Sequence, residues 1–336
     1  MDSSLETFIA HSNDSRYRAQ PRGHYESFFQ RANHPSRPLA FWIRYTLFSP
    51  RHHPEEAVGE LWAIFFNGET GNHVVVKQVV PFSGCTFSPS AFQVQIAGAS
   101  LQQGQLHGSV HMGDASLAWD LTYRAEEAPL LLLPLRLYAT RLPAAKSLVG
   151  APLAAYEGKL VVNGETIEVH QWVGSQNHNW GSKHTDRYAW GQVAGFDTHP
   201  DSFLEVATAR LKLGAAWSPP LTLLVLRHAG KEWALTTLMQ SWRARGSFEV
   251  GRWSFRLRTH EVEIAGTISA PRAAFVGLRY ANPPGGAKDC LNSKIASCEL
   301  TVKDRAIGRQ EVLVTAHRAA FELLTDDRQH GIPIRV

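Results

Sequence analysis

Hydrophobic and polar residues alternate over most of this 336-residue chain, in short runs closed by Pro, Gly or Asn. Segments 39–49, 58–67 and 72–82 are rich in β-branched and aromatic residues, and each predicts a strand. Asn67-Gly68 and Asn163-Gly164 predict hairpin turns of the kind that needs positive φ. Helical periodicity is scarce. Residues 1–23 read as a loose tail or short helix followed by a loop. Residues 144–156 read as one short helix, limited by Pro143, Gly150 and Pro152. The pattern predicts a nearly all-β protein with a helix share below about 15%.

The pattern also repeats. Residues 92–124 and 253–280 both run as alternating strands with short turns, and each ends in a paired aromatic and basic residue. GKLVVNG at 158–164 has a looser echo in SKIASCELTVKD at 293–304. Such self-similarity predicts two similar antiparallel halves, barrels or sandwiches, that meet somewhere in 165–200. We take them as 24–175 and 176–336, after the tail at 1–23.

The densest chemistry lies at 170–196, HQWVGSQNHNWGSKHTDRYAWGQVAGF. Residues 176–181 are polar and poor in strand formers, so they read as a loop leading into a strand from Tyr188. By parity, Tyr188, Trp190, Gln192 and Phe196 share one face of that strand, and Ala189, Gly191 and Val193 the other. The next strand, 203–213, carries Glu205 on an otherwise apolar face. Burial there would raise its pKa and suit it to act as a general acid. A hairpin turn over 197–202 would set Glu205 opposite about position 194, near Gln192. His178 would hang over the mouth of the same cavity as the alternative proton donor. Asn179, Trp180, Tyr188, Trp190, Gln192 and Phe196 are the candidate substrate contacts, with Trp62 from a strand of the first half. On that earlier strand Glu60 is a possible buried partner of Arg44. Asp120 reads as solvated.

Composition narrows the function. Hydrophobic residues make up 44% and charged residues 19%, enough apolar side chain for a sizeable core. The net charge of +4 is scattered, with no basic run, so no nucleic-acid partner is expected. The spacing of His170, His178 and His184 matches no metal motif, and no metal is expected there. Without G-x-S-x-G, a P-loop or G-x-G-x-x-G, a serine hydrolase, NTPase or dinucleotide enzyme is disfavoured and no cofactor is expected. Cys85, Cys290 and Cys298 are odd in number and read as free thiols in a reducing compartment. The stretch 1–20 is polar, with Asp2 and Glu6, and is not a signal peptide; 130–133 is too short to span a bilayer. A cytoplasmic protein is expected, with peripheral membrane contact as one route to an apolar substrate.

Four segments, 24–50, 59–68, 177–196 and 280–297, carry a family resemblance. With Asn179-Trp180-Gly181 and the following Trp190 and Gln192 as its best marker, the chain resembles the tocopherol-cyclase-like and carotenoid-hydratase-like (AttH-type) group of lipocalin-related proteins, from about residue 24 to 320. The resemblance implies two lipocalin-like β-barrels or sandwiches with the substrate between or within them. It also implies acid-catalysed chemistry on a carbon-carbon double bond of an isoprenoid-like substrate, by cyclisation or addition of water. Some relatives act by shaping a reactive chain for a pericyclic step. The Asp-Arg-Glu-Trp turn of the hydratase branch is missing; His178-Asn179-Trp180-Gly181 stands in its place, which favours a cyclase or isomerase over a hydro-lyase. A non-catalytic lipid or pigment carrier is the competing expectation.

Overall fold

Two long β-hairpins organise the chain, one in each half. The structure, a computed structural model, describes residues 3–336; Met1 and Asp2 lie outside the described residues. Strand makes up about 60% and helix 8% of it, as the alternating pattern predicts. In the first half the strands are β1 (His24–Asn33), β2 (Leu39–Ser49), β3 (Val58–Asn67), β4 (Val74–Pro81), β5 (Cys85–Phe87), β6 (Gln93–Ile96), β7 (Ala99–Gln102), β8 (Gln105–Met112), β9 (Ala115–Arg124), β10 (Leu130–Leu131), β11 (Ala145–Val162) and β12 (Glu165–Gly181). In the second they are β13 (Arg187–Ala194), β14 (Phe203–Arg210), β15 (Lys212–Leu213), β16 (Ala216–Trp217), β17 (Leu221–His228), β18 (Lys231–Leu235), β19 (Arg245–Glu249), β20 (Arg252–Arg258), β21 (Val262–Ser269), β22 (Val276–Ala281), β23 (Ala287–Asp304) and β24 (Arg309–Thr325). The helices are α1 (Ser3–Ala10) and α2 (Leu238–Arg243).

The first sheet runs β4-β3-β2-β1-β12-β11-β9-β8-β7-β6-β5, with β10 on β11; the second runs β18-β17-β14-β13-β24-β23-β21-β20-β19, with β22 on β23. The two orders correspond: four strands, the long hairpin, then a meander. The hairpins match in length too, 18 and 17 residues in β11–β12 and again in β23–β24. This is the physical basis of the sequence echo between 158–164 and 293–304. The first sheet curls nearly shut, β4 reaching β8 and β9, and β19 approaches β14 and β17 in the second.

Phe28, Phe41, Tyr45, Trp119, Tyr156 and Trp172 fill the first barrel. Trp253, Phe255, Ile264, Leu300 and Phe321 belong to the second core. Trp42, Trp62 and Ile64 alternate away from the first core and join the second half's cluster. Both faces of β1 and most of β2 are therefore buried, one in the barrel and one in the seam between the halves.

Three local expectations are corrected. Residues 144–156 form strand rather than helix, because bulges at Val149/Ala151 and Ala151/Ala154, with Leu153 at φ 49°, absorb Gly150 and Pro152. Asn163-Gly164 adopts the expected turn, with φ of 51° and 88°. Asn67-Gly68 does not; Asn67 Oδ1 instead accepts the N–H groups of Glu69 and Thr70 in a longer loop. The segment after α1 is not loose, since Ser12, Asp14 and Ser15 are buried against the first barrel. Cys85, Cys290 and Cys298 are unpaired. Among the described residues no helix is long and apolar enough to cross a membrane.

Candidate functional site

The parity of β13 divides it between two surroundings. Gly191 faces the second core, where a Cβ would stand 2.5 Å from Ile268 Cδ1 and 2.8 Å from Trp253. Only glycine fits there, which holds the strand tight against its own barrel. Tyr188, Trp190 and Gln192 point the other way, into the seam. The parity count does not extend to Phe196. The strand ends at Ala194, Gly195 turns at φ 74°, and Phe196 beyond it is fully buried.

Gln192 is the hub of the seam. It lies directly opposite Glu205, two residues along from the expected partner near 194, because Ala194 pairs with Phe203. Its Oε1 accepts from Arg31 Nε at 2.8 Å and Ser175 Oγ at 2.6 Å. Its Nε2 donates to Asn177 Oδ1 and to Glu205 Oε2, both at 2.8 Å. All four hydrogen-bonding positions of the amide are filled by protein, one of them by Glu205.

Glu205 is 2% exposed. Its Oε1 accepts from Trp190 Nε1 at 2.7 Å, and its Oε2 from Gln192. Burial drives the carboxyl up to about 7; the bonds from Trp190 and Gln192 and the charge of Arg31 only partly offset this. Both of these contacts are from donors, so the proton of the neutral acid is not spent on them. Tyr188 and Trp190 beside it are half-buried and keep some surface open.

A second polar group adjoins the first. Lys294, fully buried on β23, donates to Glu322 Oε1 at 2.7 Å and to Asn292 Oδ1. Its Nζ lies 5.5 Å from the Trp190 ring and 5.6 Å from the Trp42 ring. Burial holds the ammonium below its usual pKa. Arg44 donates to Ser27 Oγ and sits 4.4 Å over the Tyr280 ring. Several buried donors along this seam lack a protein partner: Arg31 Nη2, Trp42 Nε1, Trp62 Nε1 and Asn292 Nδ2. Unmet buried donors are costly, and an acceptor placed among them would be favoured.

His178 lies elsewhere. It and Trp180 are on β12, not in a loop, and residues 176–181 continue that strand. Ser175 and Asn177 face the seam, so His178 and Trp180 face the opposite side. There His178 Nε2 meets Glu26 Oε1 at 2.8 Å and Nδ1 meets the Ser12 carbonyl at 2.8 Å. The ring stacks on Phe28 at 4.1 Å and is fully buried. His178 therefore does not share a space with Glu205. Trp180 packs with Tyr138 and Leu148, while Asn179 is half-buried opposite Ser27 on the seam side. Trp62 lines the seam under Tyr280 and Lys77. His184 stacks on Tyr25, and burial lowers its pKa to about 3. His170 is exposed beside Glu157, so the three histidines of this segment stand in separate settings. Glu60 pairs with Lys77 at 2.9 Å, not with Arg44. Two grooves of about 480 and 450 Å³ lie away from the seam, one beside α2 and one over His107 and Asp120.

Sequence reasoning missed Arg31, Ser175, Asn177, Lys294 and Glu322. The signal available was polar residues alternating with aromatics in HYESFFQRAN, a strand with no solvent face.

Residues 143–323 match a family model described as tocopherol cyclase-like. An uncharacterized protein of Mycobacterium tuberculosis is 30% identical over 223 residues, 66% of this chain and 64% of the relative's length. The chain thus matches a little under two thirds of that relative. Among solved structures, an AttH-type protein of Nitrosomonas europaea has a TM-score of 0.57 at 13% identity, over 90% of this chain and 91% of that one. Kievitone hydratase from Nectria haematococca has a TM-score of 0.54 at 10% identity, over 90% and 89%. At these identities the likeness is one of fold.

Proposed function

We propose, from the premise that this chain belongs to the tocopherol cyclase-like family, that it is an enzyme working in the seam between its two barrels. The substrate is apolar and isoprenoid-like with a polar end. The reaction is an acid-assisted cyclisation or isomerisation at a carbon-carbon double bond. The observation that carries this reading is Glu205, a buried carboxyl with a pKa near 7 that keeps its proton for transfer.

The neutral acid protonates one alkene carbon, and the π electrons form the new C–H bond. Tyr188 and Trp190 present ring faces to the cation left behind. Trp190 Nε1 and Gln192 Nε2, already aimed at the carboxyl, stabilise the carboxylate that forms, with Arg31 behind them. A substrate hydroxyl closing on the cation, or loss of a neighbouring proton, returns the proton to Glu205. The unmet donors of Arg31, Trp42 and Asn292 hold the polar end.

The exposed face of α2 fits the step of collecting such a substrate at a membrane surface. Leu238, Met239 and Trp242 are 77%, 67% and 72% exposed, beside Arg243 and Arg245. The free thiols suit a cytoplasmic setting.

The test begins with native mass spectrometry of the gently purified protein, to identify a retained small molecule. Isoprenoid alkenes with a hydroxyl or carboxyl head are then offered to the wild type and to Glu205→Gln. The reading expects conversion by the wild type and a loss of about a hundredfold in the variant. Equal conversion by both would remove Glu205 from the chemistry.

A further inference from the structure

At one end of the second barrel, away from the seam, two histidines and a glutamate converge. His199 sits in the 195–202 turn between β13 and β14, His228 ends β17, and Glu311 lies near the start of β24. His228 Nε2 is 3.1 Å from Glu311 Oε2, and His199 Nε2 is 3.6 Å from Glu311 Oε1. The ligand atoms of all three residues lie within 4.8 Å of one another. The two rings meet edge to face with centroids 5.1 Å apart.

The other nitrogen of each ring is already occupied. His199 Nδ1 is 2.9 Å from Thr198 Oγ1, and His228 Nδ1 is 2.8 Å from the buried Ser202 Oγ. Metal-binding histidines are held in this way, one nitrogen fixed by an oxygen and the other aimed at the ion. A simple ion pair would explain His228 and Glu311. It does not explain a second ring, separately anchored, aimed at the other oxygen of the same carboxylate. The spacing also fits: bonds of about 2.0–2.1 Å in a tetrahedron put neighbouring ligand atoms about 3.3 Å apart.

The frame is firm. The N–H groups of Asp197 and Thr198 donate to the Val314 carbonyl, and Val314 N–H donates to Thr198 Oγ1. The turn carrying His199 is thereby stitched to the strand carrying Glu311. Arg309 Nη2 donates to Glu311 Oε1 at 2.8 Å from an exposed position, which favours the ionised carboxylate a metal needs. His228 is buried, whereas His199 and Glu311 are partly exposed, so one side of the cluster faces solvent.

We propose that His199, His228 and Glu311 form a binding site for a divalent first-row transition ion, zinc being the best match to this ligand set, with water in the fourth position. The ion ties the β13–β14 turn to β17 and β24. That hairpin carries Gln192 and Glu205, so the site braces the seam from outside it.

The experiment is titration of the chelator-treated full chain with zinc chloride, by calorimetry and by thermal melting. One equivalent should bind and raise the melting temperature. Because His228 is buried, His199→Ala is the deciding variant; it should weaken binding by about a hundredfold or more and abolish the thermal shift. His53→Ala, in the exposed group of His53, Glu55 and Glu56, should change neither. No zinc binding by the wild type, equal binding by His199→Ala, or loss of binding in His53→Ala would each overturn the proposal.

Discussion

Two buried glutamates, one at the covered side of the first barrel and one in the seam, are driven in opposite directions. Glu26 is fully buried, and burial alone would raise its pKa. His178 and His24 reverse that, and the carboxyl sits far below the usual carboxylate range. Ser15 Oγ and the Arg16 N–H, both at 2.7 Å, and His178 at 2.8 Å leave it fully met. The Ser12 carbonyl can only accept, so His178 Nδ1 carries a hydrogen, and the short Nε2 contact to Glu26 holds one shared proton, even though burial lowers the His178 pKa. Glu205 is almost as buried, but its bonded partners are one indole and one amide. Burial wins there and the acid stays neutral to about 7. Burial raises both carboxyls; hydrogen bonds from two histidines reverse it at Glu26, and those from an indole and an amide do not at Glu205.

The largest expected effect is at His178. Its replacement by Ala strands the Glu26 carboxylate and should cost about 3–5 kcal/mol in chemical denaturation. A cost below 1 kcal/mol would show that Glu26 is not held as a charge.

Next in size is the pH dependence of stability. Glu205 has a folded pKa raised above its unfolded value. Its contribution is full below about 4.5 and is lost as pH rises through about 7, a change of about 3 kcal/mol. Glu26 has the opposite sign: its contribution is present above the unfolded value and fades as pH falls toward its low folded pKa. Denaturation of wild type and Glu205→Gln from pH 4.5 to 8 should show the wild type losing ground relative to the variant. Parallel curves would contradict it.

The rate effect is similar in scale. Glu205→Gln should lower turnover about a hundredfold while stability at neutral pH changes by no more than about 2 kcal/mol. In the wild type the rate should fall as pH passes about 7, where the acid loses its proton. The smallest effect is at Ser15. Ser15→Ala removes one hydrogen bond to Glu26 and should cost about 1–2 kcal/mol, with no change in turnover.

Much of this was legible in the chain. Strands at 39–49 and 58–67 follow from alternation, and Trp190, Gln192 and Glu205 come together because parity survives any hairpin register of the right sense. The sequence pattern puts His178 on the wrong side for a physical reason. Residues 176–181 look like a loop because they are polar, yet their polar groups are met by tertiary partners: Asn13 for Gln176, Ser12 and Glu26 for His178, Gln192 for Asn177. Arg31 reaches Gln192 across 161 positions, a pairing no local pattern encodes. The alternation ends at Gly195, whose positive φ stops the parity count short of Phe196.

The chemistry proposed for the seam requires Glu205 to be a neutral acid in the folded protein near neutral pH. Carbon-13 NMR of side-chain-labelled glutamate, titrated from pH 4 to 9 and assigned by comparison with Glu205→Gln, reads this directly. The expected result is a carboxyl resonance that titrates near 7 and is missing from the variant. A Glu205 resonance that is already ionised at pH 5 would contradict it.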